Sequence, residues 1–113
     1  MTRSLLTLLL PCVLLLSACA HQKGLKNKTT EQKKADLYYS QGTQKLMDQK
    51  YSEALKHLRS AKELRPDHSQ THTNLAMAYH FKGKTRLAIE HLREAIDLDE
   101  KNSDARLNLG GIY

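Results

Sequence analysis

Two short stretches of this chain decide its fold. Residues 54–64 read ALKHLRSAKEL, and residues 88–98 read AIEHLREAIDL. The second stretch begins 34 residues after the first, at 88 against 54. In both, small and apolar residues recur at the three- and four-residue spacing of a helix that buries one face. Each stretch therefore predicts an amphipathic helix, and together they predict a repeat.

The repeat extends into the surrounding sequence. When residues 35–68 are aligned with residues 69–102, the identical pairs are Lys50/Lys84, Ala54/Ala88, His57/His91, Leu58/Leu92, Arg59/Arg93, Ala61/Ala95 and Leu64/Leu98. Two helical patterns occur in each unit, and they predict helices over residues 35–48, 51–64, 69–82 and 85–98. Gly83 lies where the first helix of the second unit has to stop and turn. Pro66 interrupts the chain between the two units.

This period resembles that of the tetratricopeptide repeat. The residues that carry the resemblance are Tyr38, Gly42, Ala54, Leu58, Ala61 and Pro66, then Leu75, Ala76, Tyr79, Ala88, Leu92 and Ala95, then Leu109, Gly110 and Tyr113. The resemblance implies an all-α fold of helix-turn-helix repeats that form a right-handed α-solenoid. Its units are residues 35–68, residues 69–102 and an incomplete third unit, residues 103–113. The small residues expected at close helix approaches are Gly42, Ala54, Ala76, Ala88 and Gly110.

The given sequence ends at Tyr113, inside the first helix of the third unit. A solenoid normally ends in a repeat with a polar outer face. We therefore expect this chain to be a fragment of a longer protein. The alternative is a naturally short protein that frays or dimerises at this end.

The first 18 residues have the build of a signal peptide. A basic start is followed by an apolar run over residues 5–16, which is shorter than the about 20 residues of a membrane-spanning helix. The run ends in Leu16-Ser17-Ala18-Cys19, which resembles the bacterial lipobox. That resemblance implies cleavage before Cys19, a diacylglycerol on its thiol and an acyl chain on its new amino group. The alternatives are an ordinary signal peptide with an incidental cysteine and an uncleaved signal anchor.

Residues 19–34 are predicted to be the lipidated Cys19 and a basic flexible linker. Residues 20–34 hold five lysines against one glutamate, which accounts for most of the formal net charge of +6. The repeats themselves are nearly neutral, so we expect no nucleic-acid partner despite the basic composition. The lysines suit a chain that leaves an anionic membrane surface. They equally suit a merely soluble spacer.

The repeats contain little that could do chemistry. No phosphate-binding glycine loop, nucleophile elbow or triad context is present. His68 and His72 are four residues apart but have no HExxH context, and the repeats hold no cysteine. His57 and His91 occupy equivalent positions, where a surface role is expected. We therefore expect no enzyme activity, no catalytic residue, no metal, no small-molecule substrate and no cofactor beyond the lipid on Cys19.

The resemblance implies that the first helix of each unit lines a concave groove for a protein or peptide partner. The residues at the groove positions are Tyr39, Thr43, Leu46, Met47, Thr73, Met77, His80, Phe81 and Leu107. Leu46 is equally well placed to pack against neighbouring helices. Methionine and aromatic side chains adapt well to a bound peptide.

The chain carries a lipobox, then a tether and then the repeats. In this order it resembles the lipoprotein family of type IV pilus biogenesis, which promotes secretin assembly. The sequence therefore predicts a membrane-anchored adaptor of the bacterial cell envelope. Ala20 after Cys19 resembles the sorting signal for the outer membrane, with the repeats facing the periplasm. Two other functions remain open: a general envelope scaffold or chaperone, and an accessory region of a longer cell-wall enzyme.

Overall fold

The computed structural model describes residues 27–113, which form α-helices and no β-strand. The helices are α1 (Thr30–Met47), α2 (Tyr51–Leu64), α3 (Ser69–Phe81), α4 (Thr85–Leu98) and α5 (Ser103–Ile112). Each packs only against helices one or two places away along the chain. This arrangement confirms the predicted α-solenoid of helix-turn-helix repeats. The predicted signal peptide and Cys19 lie outside the described residues.

Helix α1 begins five residues before the position predicted from the apolar pattern, at Thr30 and not at residue 35. Thr29 caps it: its hydroxyl accepts from the backbone N–H of Gln32 at 3.2 Å, and the Gln32 side chain accepts from the backbone N–H of Thr29 at 2.9 Å. Such a reciprocal pair satisfies two N–H groups that a helix start otherwise leaves unpaired. Residues 30–34, which the sequence placed in the flexible linker, are therefore helical.

The turns inside the two repeats share one backbone feature. Gly83 has a φ of 76°, and Gln49, its counterpart in the first repeat, has a φ of 61°. Glycine adopts this left-handed conformation freely, whereas a residue with a Cβ does so at a cost of about 1 kcal/mol or more. The second turn thus has the residue that its geometry favours, and the first turn carries local strain.

The core runs along the repeats as a row of leucines surrounded by alanines. Leu58, Leu75 and Leu92 are fully buried, and so are the predicted small residues Ala54 and Ala88. These residues form one continuous apolar cluster. The alanines let the leucines of neighbouring helices reach one another, because protein interiors pack without gaps.

Gly42 lies at the closest approach of α1 to α2. A Cβ built on it would lie 2.6 Å from Cγ of Leu58, a distance that real atoms do not tolerate. The prediction of a close approach at Gly42 is thus confirmed. At Gly110 an added Cβ meets nothing within 4 Å in the described residues, and the close approach expected there stays a prediction.

Asn102 joins the second repeat to the third. Its side chain caps α5 by accepting from the backbone N–H of Ala105 at 3.0 Å. Its amide nitrogen donates to the hydroxyls of Ser69, at 2.6 Å, and Thr73, at 3.0 Å, on α3. A buried amide with this many partners is well satisfied and fixes the position of α5 relative to α3.

Over residues 27–113, none of the helices combines the length and the apolar character that crossing a bilayer requires.

Candidate functional site

Four of the predicted groove residues line one open hollow. Met77, His80 and Phe81 on α3 face Leu107 on α5 across a space of about 350 Å³. The side chains of Phe81 and Leu107 remain 54% and 77% exposed. We call this space the apolar hollow. Large exposed apolar side chains that cluster on one surface mark a contact site.

The ring of Phe81 is held in place by Tyr51, at the start of α2. The two rings stack with their centroids 4.9 Å apart and their planes at 14°. Stacking of this kind fixes ring orientation, and Phe81 nevertheless stays 54% exposed. Tyr51 was missed by the sequence prediction, because it lies on a second helix and only first helices were expected to reach the groove.

Tyr39 and Thr43 form a separate polar cluster on α1, away from the apolar hollow. The side-chain amide of Asn74 on α3 donates to Oγ1 of Thr43 at 2.9 Å and to the hydroxyl of Tyr39 at 3.4 Å. The Tyr39 ring also meets the His68 ring edge-on, at 5.0 Å. These contacts tie α1 to α3, and both residues are half-buried.

Thr73 does not line a groove, contrary to the sequence prediction. Its side chain is buried, with 1% exposure. Its hydroxyl donates to the backbone carbonyl of Ser69 at 3.3 Å and accepts from Asn102. The approach of α5 covers this position, so Thr73 belongs to the junction between repeats.

The last two predicted positions lie near the end of α1. Met47 is 72% exposed and free to contact a partner. Leu46 is half-buried and packs against the core cluster, which decides between the two roles left open for it. The structure therefore brings Met77, His80, Phe81 and Leu107 together, with Met47 exposed on the same set of first helices.

The surface role expected for His91 is wrong, because this ring packs between helices. Its ring stacks on Tyr79 of α3, with centroids 5.5 Å apart and planes at 6°. Its Nδ1 lies 3.3 Å from Nδ1 of His72, and Nε2 of His72 donates to the backbone carbonyl of Pro66 at 2.8 Å. A carbonyl only accepts, so His72 carries a hydrogen on Nε2. We call His72 and His91 the histidine pair.

The histidine pair has an unusual electrostatic environment. Burial, together with the nearby His72 and Lys62, lowers the pKa of His91 to about 4. Charge on the imidazole is disfavoured there because water is partly excluded and neighbouring cations repel it. Arg59 is a second such cation, and its guanidinium donates to the hydroxyl of Tyr79 at 2.7 Å. His91 is therefore neutral near neutral pH.

Within residues 27–113, no group of three or more His, Cys, Asp or Glu side chains lies close enough together to hold a metal ion. The absence of a metal or catalytic site in the whole protein stays a prediction.

Comparison with known proteins agrees with this architecture. The family profile of the tetratricopeptide repeat matches residues 33–101, more than half of the chain. The photosystem I assembly protein Ycf3 of Synechococcus sp. (strain CC9605) is 33% identical over 84 residues. That stretch is 72% of this chain and 49% of the relative, so the chain spans about half the length of the curated relative it matches. The helix-turn-helix units, their small residues at the close crossings and the profile match together place this chain in the tetratricopeptide-repeat family.

Proposed function

We propose that this protein is a lipid-anchored adaptor of the bacterial cell envelope, whose repeats hold a segment of another protein. The observation that carries the binding role is the half-exposed Phe81 ring, fixed by Tyr51 beside the apolar hollow. A rigid aromatic side chain beside an open apolar space is the usual centre of a protein interface. No enzyme activity, nucleic-acid partner or small-molecule substrate is part of this proposal.

The anchor rests on the sequence Leu16-Ser17-Ala18-Cys19 behind a basic start and a short apolar run. Cys19 would carry a diacylglycerol and an acyl chain, and several chains hold a protein at a bilayer far more firmly than one. With Ala20 next to it, we place the protein at the outer membrane with the repeats in the periplasm.

A finer proposal is a role in assembling a type IV pilus or its secretin. It rests on the order of lipobox, basic tether and repeats, and on residues 107–113, which read LNLGGIY and are similar to a segment of that lipoprotein family. The broader alternative is a general envelope scaffold or chaperone. The Synechococcus relative is named as an assembly protein. This favours a role in assembling a protein complex, which the pilus proposal and the scaffold alternative share.

The binding role predicts that Phe81→Ala weakens partner binding roughly ten-fold, because truncating a central interface aromatic typically costs on the order of 1–2 kcal/mol. The measurement is quantitative mass spectrometry of envelope proteins retained by the immobilised full chain. Leu87→Ala is the matched control, since Leu87 is a partly exposed apolar residue on α4 outside the apolar hollow. Equal retention by both variants would show that the apolar hollow is not the binding surface. A loss of thermal stability in Phe81→Ala as large as that of a fully buried leucine would instead make Phe81 a core residue.

The anchor predicts that Cys19→Ala abolishes acylation, because no other residue offers the thiol at the lipobox position. Growing cells on a clickable fatty acid and labelling the isolated protein measures it directly. Cys12→Ala is the control, since this cysteine lies within the apolar run that is cleaved away. Equal label on wild type and Cys19→Ala would end the lipoprotein proposal and leave the binding role standing.

A further inference from the structure

A second hollow adjoins the apolar hollow at the stacked rings of Tyr51 and Phe81. Phe81 borders the apolar hollow, and Tyr51 borders a space of about 330 Å³ that Lys50, Ser52 and Lys82 also line. We call this second space the basic hollow. The ring pair, with centroids 4.9 Å apart, therefore separates the apolar hollow from the basic hollow.

The basic hollow carries unbalanced positive charge. One carboxylate, that of Glu53, lines the basic hollow. It forms an ion pair at 2.8 Å with Lys45, which does not line the hollow. Lys82 donates to the hydroxyl of Ser52 at 2.7 Å, a neutral partner that orients the ammonium without balancing its charge. Within residues 27–113, neither Lys50 nor Lys82 takes part in an ion pair. The ammonium groups of Lys50 and Lys82 can therefore bind a carboxylate of a partner.

The position of Lys82 is set by the fold. It follows directly on Phe81 at the end of α3, and its bond to Ser52 brings it over the start of α2. The bond to Ser52 therefore holds the exposed ammonium at the start of α2, one residue along the chain from Tyr51. A charged hydrogen bond to such a pre-positioned donor is stronger than one to a side chain that has to be ordered on binding.

We propose that the segment held by this protein carries a large apolar side chain and, a few residues away, an aspartate or glutamate. The apolar side chain occupies the apolar hollow, the chain crosses the Tyr51–Phe81 ring pair, and the carboxylate binds Lys50 and Lys82 in the basic hollow. This inference rests on the proposed binding role and adds the chemistry of the partner. The apolar contact supplies affinity, and the paired charges select the sequence and its direction.

The test is selection of short random peptides displayed on phage against the immobilised full chain. The wild type is expected to enrich peptides in which an aromatic or aliphatic residue has Asp or Glu nearby. The double variant Lys50→Glu/Lys82→Glu is expected to lose binding of these peptides roughly ten-fold and to select Lys or Arg at the same spacing. Both lysines are exposed, so circular dichroism of the variant should match the wild type.

The matched control is Lys33→Glu/Lys101→Glu, which changes the net charge equally but at the opposite edge of the repeats, near the start of α1 and before α5. It should keep the wild-type preference. If the wild type selects apolar peptides without nearby acids, and Phe81→Ala loses them, the inference about charge is wrong and the binding role stands. If the control abolishes the acidic preference as strongly as Lys50→Glu/Lys82→Glu, the preference comes from net charge, and the basic hollow is not a site. If no peptide is enriched, both proposals fail.

Discussion

Replacing Leu58 with alanine is expected to lower the free energy of unfolding by about 2–5 kcal/mol, the usual range for truncating a fully buried leucine. Leu58 is completely buried and fills the space opposite Gly42, where α1 and α2 cross most closely. Position 42 is a glycine, so it has no side chain that could move into the gap left by the truncation. Chemical denaturation of the full chain measures the loss.

The same contact predicts a strong coupling between the two positions. Gly42→Ala alone should cost about 1–3 kcal/mol, because its methyl group would overlap Leu58. In the Leu58→Ala background, the same substitution should cost clearly less, since the overlaps with Cγ and Cδ2 of Leu58 are gone and only the 3.1 Å approach to its backbone nitrogen remains, while alanine favours a helix over glycine by about 1 kcal/mol. Gly110→Ala is the control, because nothing lies near an added Cβ there. Additive effects of Gly42→Ala and Leu58→Ala would contradict the contact.

Acidification is expected to remove about 2 kcal/mol of stability between about pH 6.5 and pH 4, after allowing for solvent screening at a half-exposed ring. The folded state holds the pKa of His91 at about 4, against an ordinary value of 6.5 for histidine. In that window the unfolded chain binds a proton that the folded chain does not, so stability falls as the pH falls. Below about pH 4 both states are protonated, and this contribution levels off.

Denaturant unfolding measured across this window tests the prediction. His91→Gln should flatten the pH dependence, because it removes the titrating ring from between His72, Tyr79, Lys62 and Arg59. Burial also lowers the pKa of His68, so a smaller slope remains in that variant. His57→Gln is the matched control at the equivalent position of the first repeat, where the ring stacks on Tyr38 outside the histidine pair. An unchanged slope in His91→Gln would show that other groups cause the acid sensitivity.

The repeat architecture was predictable because the residues that make it are periodic. The second helices begin and end where the pattern predicts, at Tyr51–Leu64 and Thr85–Leu98. The start of α1 was missed because the spacing of apolar residues does not indicate which residues cap a helix. Thr29 and Gln32 do carry a sequence signal, the three-residue spacing of a capping box, and that signal could have placed the start correctly.

The site was only partly predictable, because position in a repeat does not determine what lies next to a side chain. Met77, His80, Phe81 and Leu107 share a hollow as expected, but Thr73 is covered by α5. The histidine pair was missed for a related reason. His57 and His91 are equivalent in sequence, yet only His91 has another histidine within hydrogen-bonding distance, and that contact depends on helix packing across 19 residues.

Each described helix packs only against helices one or two places away along the chain, and this affects the rate of folding. Such a topology has a low contact order, because few long loops have to close before packing becomes favourable, and chains of this kind fold quickly. Each helix pair can also form as soon as it is available and then serve as a template for the next. A chain delivered from its N-terminus through a ribosome tunnel or a membrane channel can therefore begin folding before its last helix has emerged.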